Sequence, residues 1–271
     1  MTSMEKTSPA RTAEGTIPEW SRLAPQPGTR VAVAGGCGGI GRVLVAACLV
    51  HGLRVSVLDL KTSFRQHPTP SGVHFIPVDA TKEEKVERAF EELDLLWRGL
   101  DVLITLVGFT GEKRALREIE PGEWDRLVEG NLRSAYLIAR CGLALLHKAG
   151  GGSIVHTASG LATHVRPGYG PYASAKAGII ALTKTIALEN APAVRANVVA
   201  PAAVNTAFLS GGTGRSRRPV QLDLKTYVRG IPLGRIAEPE DVVGPILFLA
   251  GPASRFVTGQ VLYVNGGAFM P

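Results

Sequence analysis

Cysteine is scarce in this 271-residue chain: Cys37, Cys48 and Cys141 are the only three. An odd number without ligand spacing offers neither a disulfide framework nor a metal site, so free thiols in a reducing compartment, the cytoplasm, are expected. Long apolar runs are missing as well. No stretch reaches the roughly 18 apolar residues of a membrane helix. Residues 1–20 lack the apolar core of a secretory signal. Rich in Thr, Ser, Pro and Glu, they read as a loosely ordered arm ending near residue 28, with Trp20 and Leu23 resting on the domain surface. Aromatic residues are sparse at 6%, and the basic residues behind the net charge of +7 are scattered, apart from Arg215, Arg217 and Arg218. A positive balance suits nucleic acid, an acidic membrane surface or an anionic small molecule. The scatter and the few aromatics weigh against nucleic acid, and the missing spans against a membrane.

Apolar residues are plentiful, at 45%, enough for a substantial core. Runs rich in β-branched residues occupy 31–34, 53–58, 73–78, 102–107, 153–157, 196–200 and 260–264. Stretches with helical period lie between them at 82–97, 123–147, 171–190 and 238–250. Strands apolar on both faces, alternating with helices, are the signature of a parallel sheet covered on both sides. The expected fold is therefore α/β, one domain over residues 29–271 with a doubly wound seven-stranded sheet. One segment breaks the alternation. Residues 206–232 carry glycines and arginines with weak periodicity and read as a lid.

The stretch VAVAGGCGGIGRVL, residues 31–44, places glycines at a strand-to-helix turn. Two phosphate-cradle registers fit it: Gly36, Gly38 and Gly41, or Gly35, Gly39 and Gly41. Either lets backbone approach a pyrophosphate while a helix N-terminus offers N–H donors to it. The next apolar run ends in Asp59, 18 residues after Gly41. A carboxylate there accepts the ribose hydroxyls of NAD and repels the 2′-phosphate of NADP. Cys37 lies within the loop, where a helix N-terminus lowers a thiol pKa; a small residue fitting a tight turn is the simpler reading.

In the run YASAK, Tyr172 and Lys176 are four residues apart on one helix face. Ser159 closes the run SIVHTAS thirteen residues earlier, and Asn131 lies in EGNLRSAYL, within the expected 123–147 helix. These residues in this order, behind G-x-x-x-G-x-G, resemble the short-chain dehydrogenase/reductase family. The resemblance runs from about residue 29 to 269 and includes GRIAEPEDV and VTGQVLYVNGG near the C-terminus. It favours the Gly35, Gly39, Gly41 register. It implies a Rossmann-like oxidoreductase whose catalytic set is Ser159, Tyr172, Lys176 and Asn131. Tyr172 would carry the proton, with Lys176 lowering its pKa and binding the nicotinamide ribose. Ser159 would hold the reacting oxygen, and Asn131 a relay water. Free tyrosine titrates near 10, and an ammonium about 4 Å away, at an effective dielectric of about 20, is worth roughly 4 kcal/mol, less the opposing effect of burial.

The resemblance further implies cofactor contacts from Gly35, Cys37, Gly38, Gly39, Ile40, Gly41, Asp59 and Leu60. Asp79 and Ala80 would serve the adenine, and Gly108, Val204 and Thr206 the rest of the cleft. The chain departs from the family pattern at Thr105, Leu106 and Val107, at Ala34, and at Ala202, where hydrogen bonds bracing the sheet and cofactor floor are lost. NAD is the expected cofactor, with NADP the lesser choice, and the substrate a secondary alcohol or ketone contacted by His164, Arg166 and Tyr169. A homotetramer or dimer is implied by the resemblance. The alternatives are an NADPH-dependent ketone or 3-oxoacyl-thioester reductase, and a dinucleotide-binding regulator without chemistry. The second is expected to lack Tyr172 or Lys176, and this chain has both.

Overall fold

The β-branched runs form strands, the inner ones buried on both faces. In the computed structural model, which describes residues 18 and 21–270, these are β1 (Arg30–Ala34), β2 (Arg54–Asp59), β3 (His74–Pro77), β4 (Val102–Thr105), β5 (Gly152–Thr157), β6 (Val194–Pro201) and β7 (Val261–Val264). All pair in parallel in one sheet of order β3-β2-β1-β4-β5-β6-β7. The described residues also form α1 (Gly39–Val50), α2 (Lys61–Gln66), α3 (Glu83–Trp97), α4 (Pro121–Val128), α5 (Ser134–Lys148), α6 (Gly170–Asn190), α7 (Leu224–Arg229) and α8 (Pro239–Ala250).

The two-residue period of the strands sorts the core into two layers. Val31, Val33, Val55, Val57 and Ile104 meet Leu44 and Val45 of α1 and Val242 and Ile246 of α8. Ala32, Ala34, Leu58, Leu103 and Ile154 meet Phe90 and Leu93 of α3, Leu137 and Leu146 of α5, and Ile186 of α6. Strand order reverses between β1 and β4. Chains leaving their C-terminal ends part in opposite directions, and a crevice opens there, where such sheets hold ligands.

Most of the expected arm, Trp20 included, lies outside the described residues. Near its end Leu23 stays exposed, while Ala24 packs on the α1/α8 layer and Ala253 N donates to Arg22 O. The expected 123–147 helix is three pieces. Between α4 and α5 the chain makes a π-turn, Glu129–Arg133. Asn131 Nδ2 donates to Leu127 O at 2.8 Å and to Phe109 O at 2.9 Å, and Ser134 Oγ donates to Glu129 O at 2.9 Å. The turn is confined to these five residues, and π-turns gather at functional sites. The run expected to 107 leaves the sheet at Thr105, just before Gly108 takes a φ of 154°.

Candidate active site

The glycine loop shows which glycines are constrained. Gly35 has a φ of +86°, a conformation that disfavours any side chain. A Cβ on Gly39 would lie 2.5 Å from Thr206 Cγ2, and one on Gly41 would strike Gly35 O. On Gly38 a Cβ would meet only Gly35 O, at 3.2 Å. A Cβ on Gly36 would strike Val57 Cγ2 at 2.6 Å as well, so Gly38 alone is loosely constrained, which disfavours the register that depends on it. Helix α1 begins at Gly39 without a side-chain cap, so its first-turn N–H donors are not taken by a side chain at Gly38. Gly39, Ile40 and Gly41 form the wall of a cleft, a surface fit for phosphate oxygens.

At the end of β2, Asp59 accepts from Cys37 N at 2.9 Å and from Leu60 N at 2.7 Å. Burial pushes its carboxyl above the ordinary carboxylate range, against the pull of these two N–H donors. Cys37 serves the site through this backbone bond alone. Its side chain is buried in the α1/α8 layer, and burial, followed by the charge of Asp59, pushes the thiol up to about 12. The helix N-terminus does not lower it, in keeping with the simpler reading of Cys37 as a small residue in a tight turn. Asp79 faces the same end of the cleft; its Oδ1 accepts from Thr81 N at 3.1 Å and Thr81 Oγ1 at 2.8 Å.

The other end is built on β5 and α6. Pro171 sits in the first turn of α6, where a missing N–H costs nothing, and Tyr172 and Lys176 follow one turn apart. Both are buried, as is Ser159, which begins the turn after β5 and accepts from Leu161 N at 3.2 Å. Lys176 Nζ donates to Thr157 O at 2.9 Å and lies 5.7 Å from the Tyr172 ring centroid. Burial pushes the Tyr172 phenol well above its ordinary value, with a hydrogen bond from Ser159 pulling it down. Burial also brings Lys176 down to about 8. In this geometry desolvation dominates, so the phenol stays above its ordinary value even with the Lys176 ammonium beside it.

Asn131 is fully buried beneath the cleft. Its Oδ1 lacks a hydrogen-bond partner among the described residues. A Cβ on Gly108 would strike that oxygen and would lie 3.2 Å from Lys176 Nζ, which places all three groups together. Thr105, where the family pattern has asparagine, leaves its buried Oγ1 unpartnered too.

These ends belong to one cavity of about 540 Å³, in the range of small-molecule sites. Apart from Cys37 and Asn131, every residue expected of the site lines it, including His164, Arg166 and Tyr169. The 206–232 segment arches over it. Ser63 Oγ donates to Thr213 O at 3.3 Å and Gly214 N to Gln66 Oε1 at 2.7 Å, which fastens one edge to α2. Arg218 Nη2 donates to Thr110 O at 2.7 Å and Lys113 N to Gln221 Oε1 at 2.8 Å on the other. Phe208, Arg215 and Tyr227 line the cavity from the expected lid, whereas Lys113 and Phe269, which line it too, lie outside every expected part of the site.

A glycine cradle at the N-terminus of α1, a carboxylate at the end of the neighbouring strand β2 and a buried Ser–Tyr–Lys set fit a nicotinamide dinucleotide. Fold and site together define an NAD(P)-dependent oxidoreductase acting between a CH–OH group and a ketone. The family model described as enoyl-(acyl carrier protein) reductase matches residues 35–268. The chain belongs to the short-chain dehydrogenase/reductase family. It is 30% identical to a 3-oxoacyl-(acyl-carrier-protein) reductase of Chlamydia muridarum over 243 residues, 87% of this chain and 95% of the relative. It is 29% identical to an NAD-dependent glycerol dehydrogenase of Listeria innocua over 239 residues, 87% of this chain and 91% of the relative. Its fold matches a 3-ketoacyl-(acyl-carrier-protein) reductase of Brucella melitensis solved with NADH, with a TM-score of 0.80, 25% identity, and coverage of 90% and 99% of the two chains.

Proposed function

We propose that the protein interconverts a secondary alcohol and a ketone with NAD as its preferred cofactor, using Tyr172 as general acid and base. The observation that carries this is a single cleft with Tyr172, Ser159 and Lys176 buried at one end and Asp59 at the other. Gly39, Ile40 and Gly41 would hold the pyrophosphate, Asp59 the adenosine ribose, and Thr206 and Val204 the nicotinamide side. A bound nicotinamide supplies the hydride donor or acceptor, which no side chain provides. Ser159 holds the reacting oxygen at the Tyr172 hydroxyl. Burial keeps the phenol protonated, so the resting form is the acid that carbonyl reduction needs. In alcohol oxidation the phenol instead takes the proton as phenolate. The Lys176 ammonium, 5.7 Å from the Tyr172 ring centroid, then stabilises that negative charge. With its pKa near 8, Lys176 exchanges protons close to neutral pH. Asn131 Oδ1, unpartnered among the described residues and on the same side of Gly108 as Lys176 Nζ, would hold a relay water between them. A homo-oligomer in the cytoplasm completes this reading; no helix among the described residues is long and apolar enough to cross a membrane.

The second reading is an NADPH-dependent ketone or 3-oxoacyl-thioester reductase. Arg215 favours it, because its charge acts on both Asp59 and Asp79 and offsets the carboxylate that repels a 2′-phosphate. Asp59→Ala separates the two. If Asp59 sets the choice, the ratio of NADPH to NADH dissociation constants falls at least about tenfold in calorimetric titrations, about 1.4 kcal/mol. An unchanged ratio assigns selectivity to another residue.

A further inference from the structure

The half of the cavity beyond Tyr172 differs in chemistry from the half that ends at Asp59. Its walls are aromatic and aliphatic. The Phe208 ring lies 6.1 Å from that of Tyr172. Phe269 stacks on His164 with centroids 4.9 Å apart and planes within 5°. Leu161, Leu209 and Leu222 fill the space between. Asp59 and Asp79, both at the opposite end, are the only carboxylates lining the cavity among the described residues. Gln221, the one side-chain amide, already uses Oε1 to accept from Lys113 N. A polyol substrate needs several acceptors for its hydroxyls, because each one buried without a partner costs binding energy. This surface has few.

The rim is cationic. Lys113, Arg166 and Arg218 line it, and none of the three is in an ion pair among the described residues. Arg166 lies over the Tyr227 ring at 5.2 Å, and Lys113 over Tyr169 at 5.2 Å. Lys113 Nζ donates to Gln221 O at 2.5 Å, and Arg218 Nη2 to Thr110 O at 2.7 Å. Glu112 feels the charge of Arg218 but forms its ion pair with Arg114. Rings and carbonyls orient these cations without neutralising them, so an anion approaching the cleft meets uncompensated positive charge at its solvent-exposed rim.

Resting on the oxidoreductase reading above, we infer that the substrate is a bulky apolar secondary alcohol or ketone carrying an anionic group, and not a polyol. Its reacting carbon lies at Tyr172, its apolar body against Phe208 and Phe269, and its anion at Arg166 and its neighbours on the rim.

Purified full-length protein, with NADH and NADPH each supplied, tests this on four probes: 4-oxocyclohexanecarboxylate, cyclohexanone, acetoacetyl-coenzyme A and dihydroxyacetone. The expected result is a kcat/KM for the carboxylate ketone at least about tenfold above cyclohexanone, and for cyclohexanone above dihydroxyacetone. In Arg166→Gln the ratio of carboxylate ketone to cyclohexanone falls by about tenfold. If the thioester leads, the inferred class is overturned in favour of the 3-oxoacyl-thioester reductase. Dihydroxyacetone reduced as well as either cyclic ketone overturns it, as does equal turnover of the charged and neutral rings. Binding of NADH without turnover of any probe also overturns the class while leaving the cofactor site intact. Failure to bind either cofactor overturns the oxidoreductase reading itself.

Discussion

Tyr172→Phe is expected to lower kcat by about 10²–10⁴-fold, the usual worth of a positioned general acid or base. The substitution removes one hydroxyl and keeps the ring, so contacts with Phe208 and the Lys176 ammonium survive. Stability and NADH affinity should therefore stay within about threefold of wild type in equilibrium terms, a difference under about 0.7 kcal/mol. Losing kcat while binding persists identifies a group that acts in the transition state and not in the ground state. Steady-state kinetics with a turned-over ketone, beside calorimetric titration of NADH, reads both quantities. Retention of wild-type kcat would remove Tyr172 from the chemistry.

Gly39→Val should abolish measurable NADH binding, with a loss of at least about a hundredfold, or roughly 2.7 kcal/mol. Its Cβ would fall 2.5 Å from Thr206 Cγ2, so the new side chain fills the space where α1 presents its first N–H groups. Gly38→Ala provides the comparison. There the Cβ meets only Gly35 O at 3.2 Å, and the N-cap φ of −72° is one any residue adopts. Its effect should stay below about tenfold. Equal losses from both variants would mean that the loop tolerates no side chain anywhere, and the register argument would fail. Circular dichroism melts of each variant distinguish a filled cradle from an unfolded chain.

What the sequence discloses follows from how local the determinants are. Tyr172 and Lys176 share a helix face by spacing alone, and the sheet is announced by runs such as VAVA and VLIT, buried on both sides. The glycine loop allows two registers until Thr206, over 160 residues away, is seen leaning on Gly39. Cys37 shows the same limit. A loop position next to a helix N-terminus suggests an activated thiol, yet the turn directs the side chain into the core, where burial dominates. The π-turn at Asn131 spans only Glu129–Arg133, too short a departure to stand out from the helical period around it. The substrate walls are the least legible part. Phe208, Tyr227 and Phe269 converge from separate segments, and the lid docks through pairs as distant as Ser63 with Thr213 and Lys113 with Gln221.

The central claim is that this cleft binds a nicotinamide dinucleotide with NAD preferred, and a paired calorimetric titration of the wild-type protein with NADH and NADPH tests it most directly. The account predicts saturable binding of NADH at least about tenfold tighter than NADPH, a gap of about 1.4 kcal/mol. Tighter NADPH binding would contradict the role given to Asp59 and promote the NADPH-dependent reductase. Absence of binding by either would contradict the account as a whole.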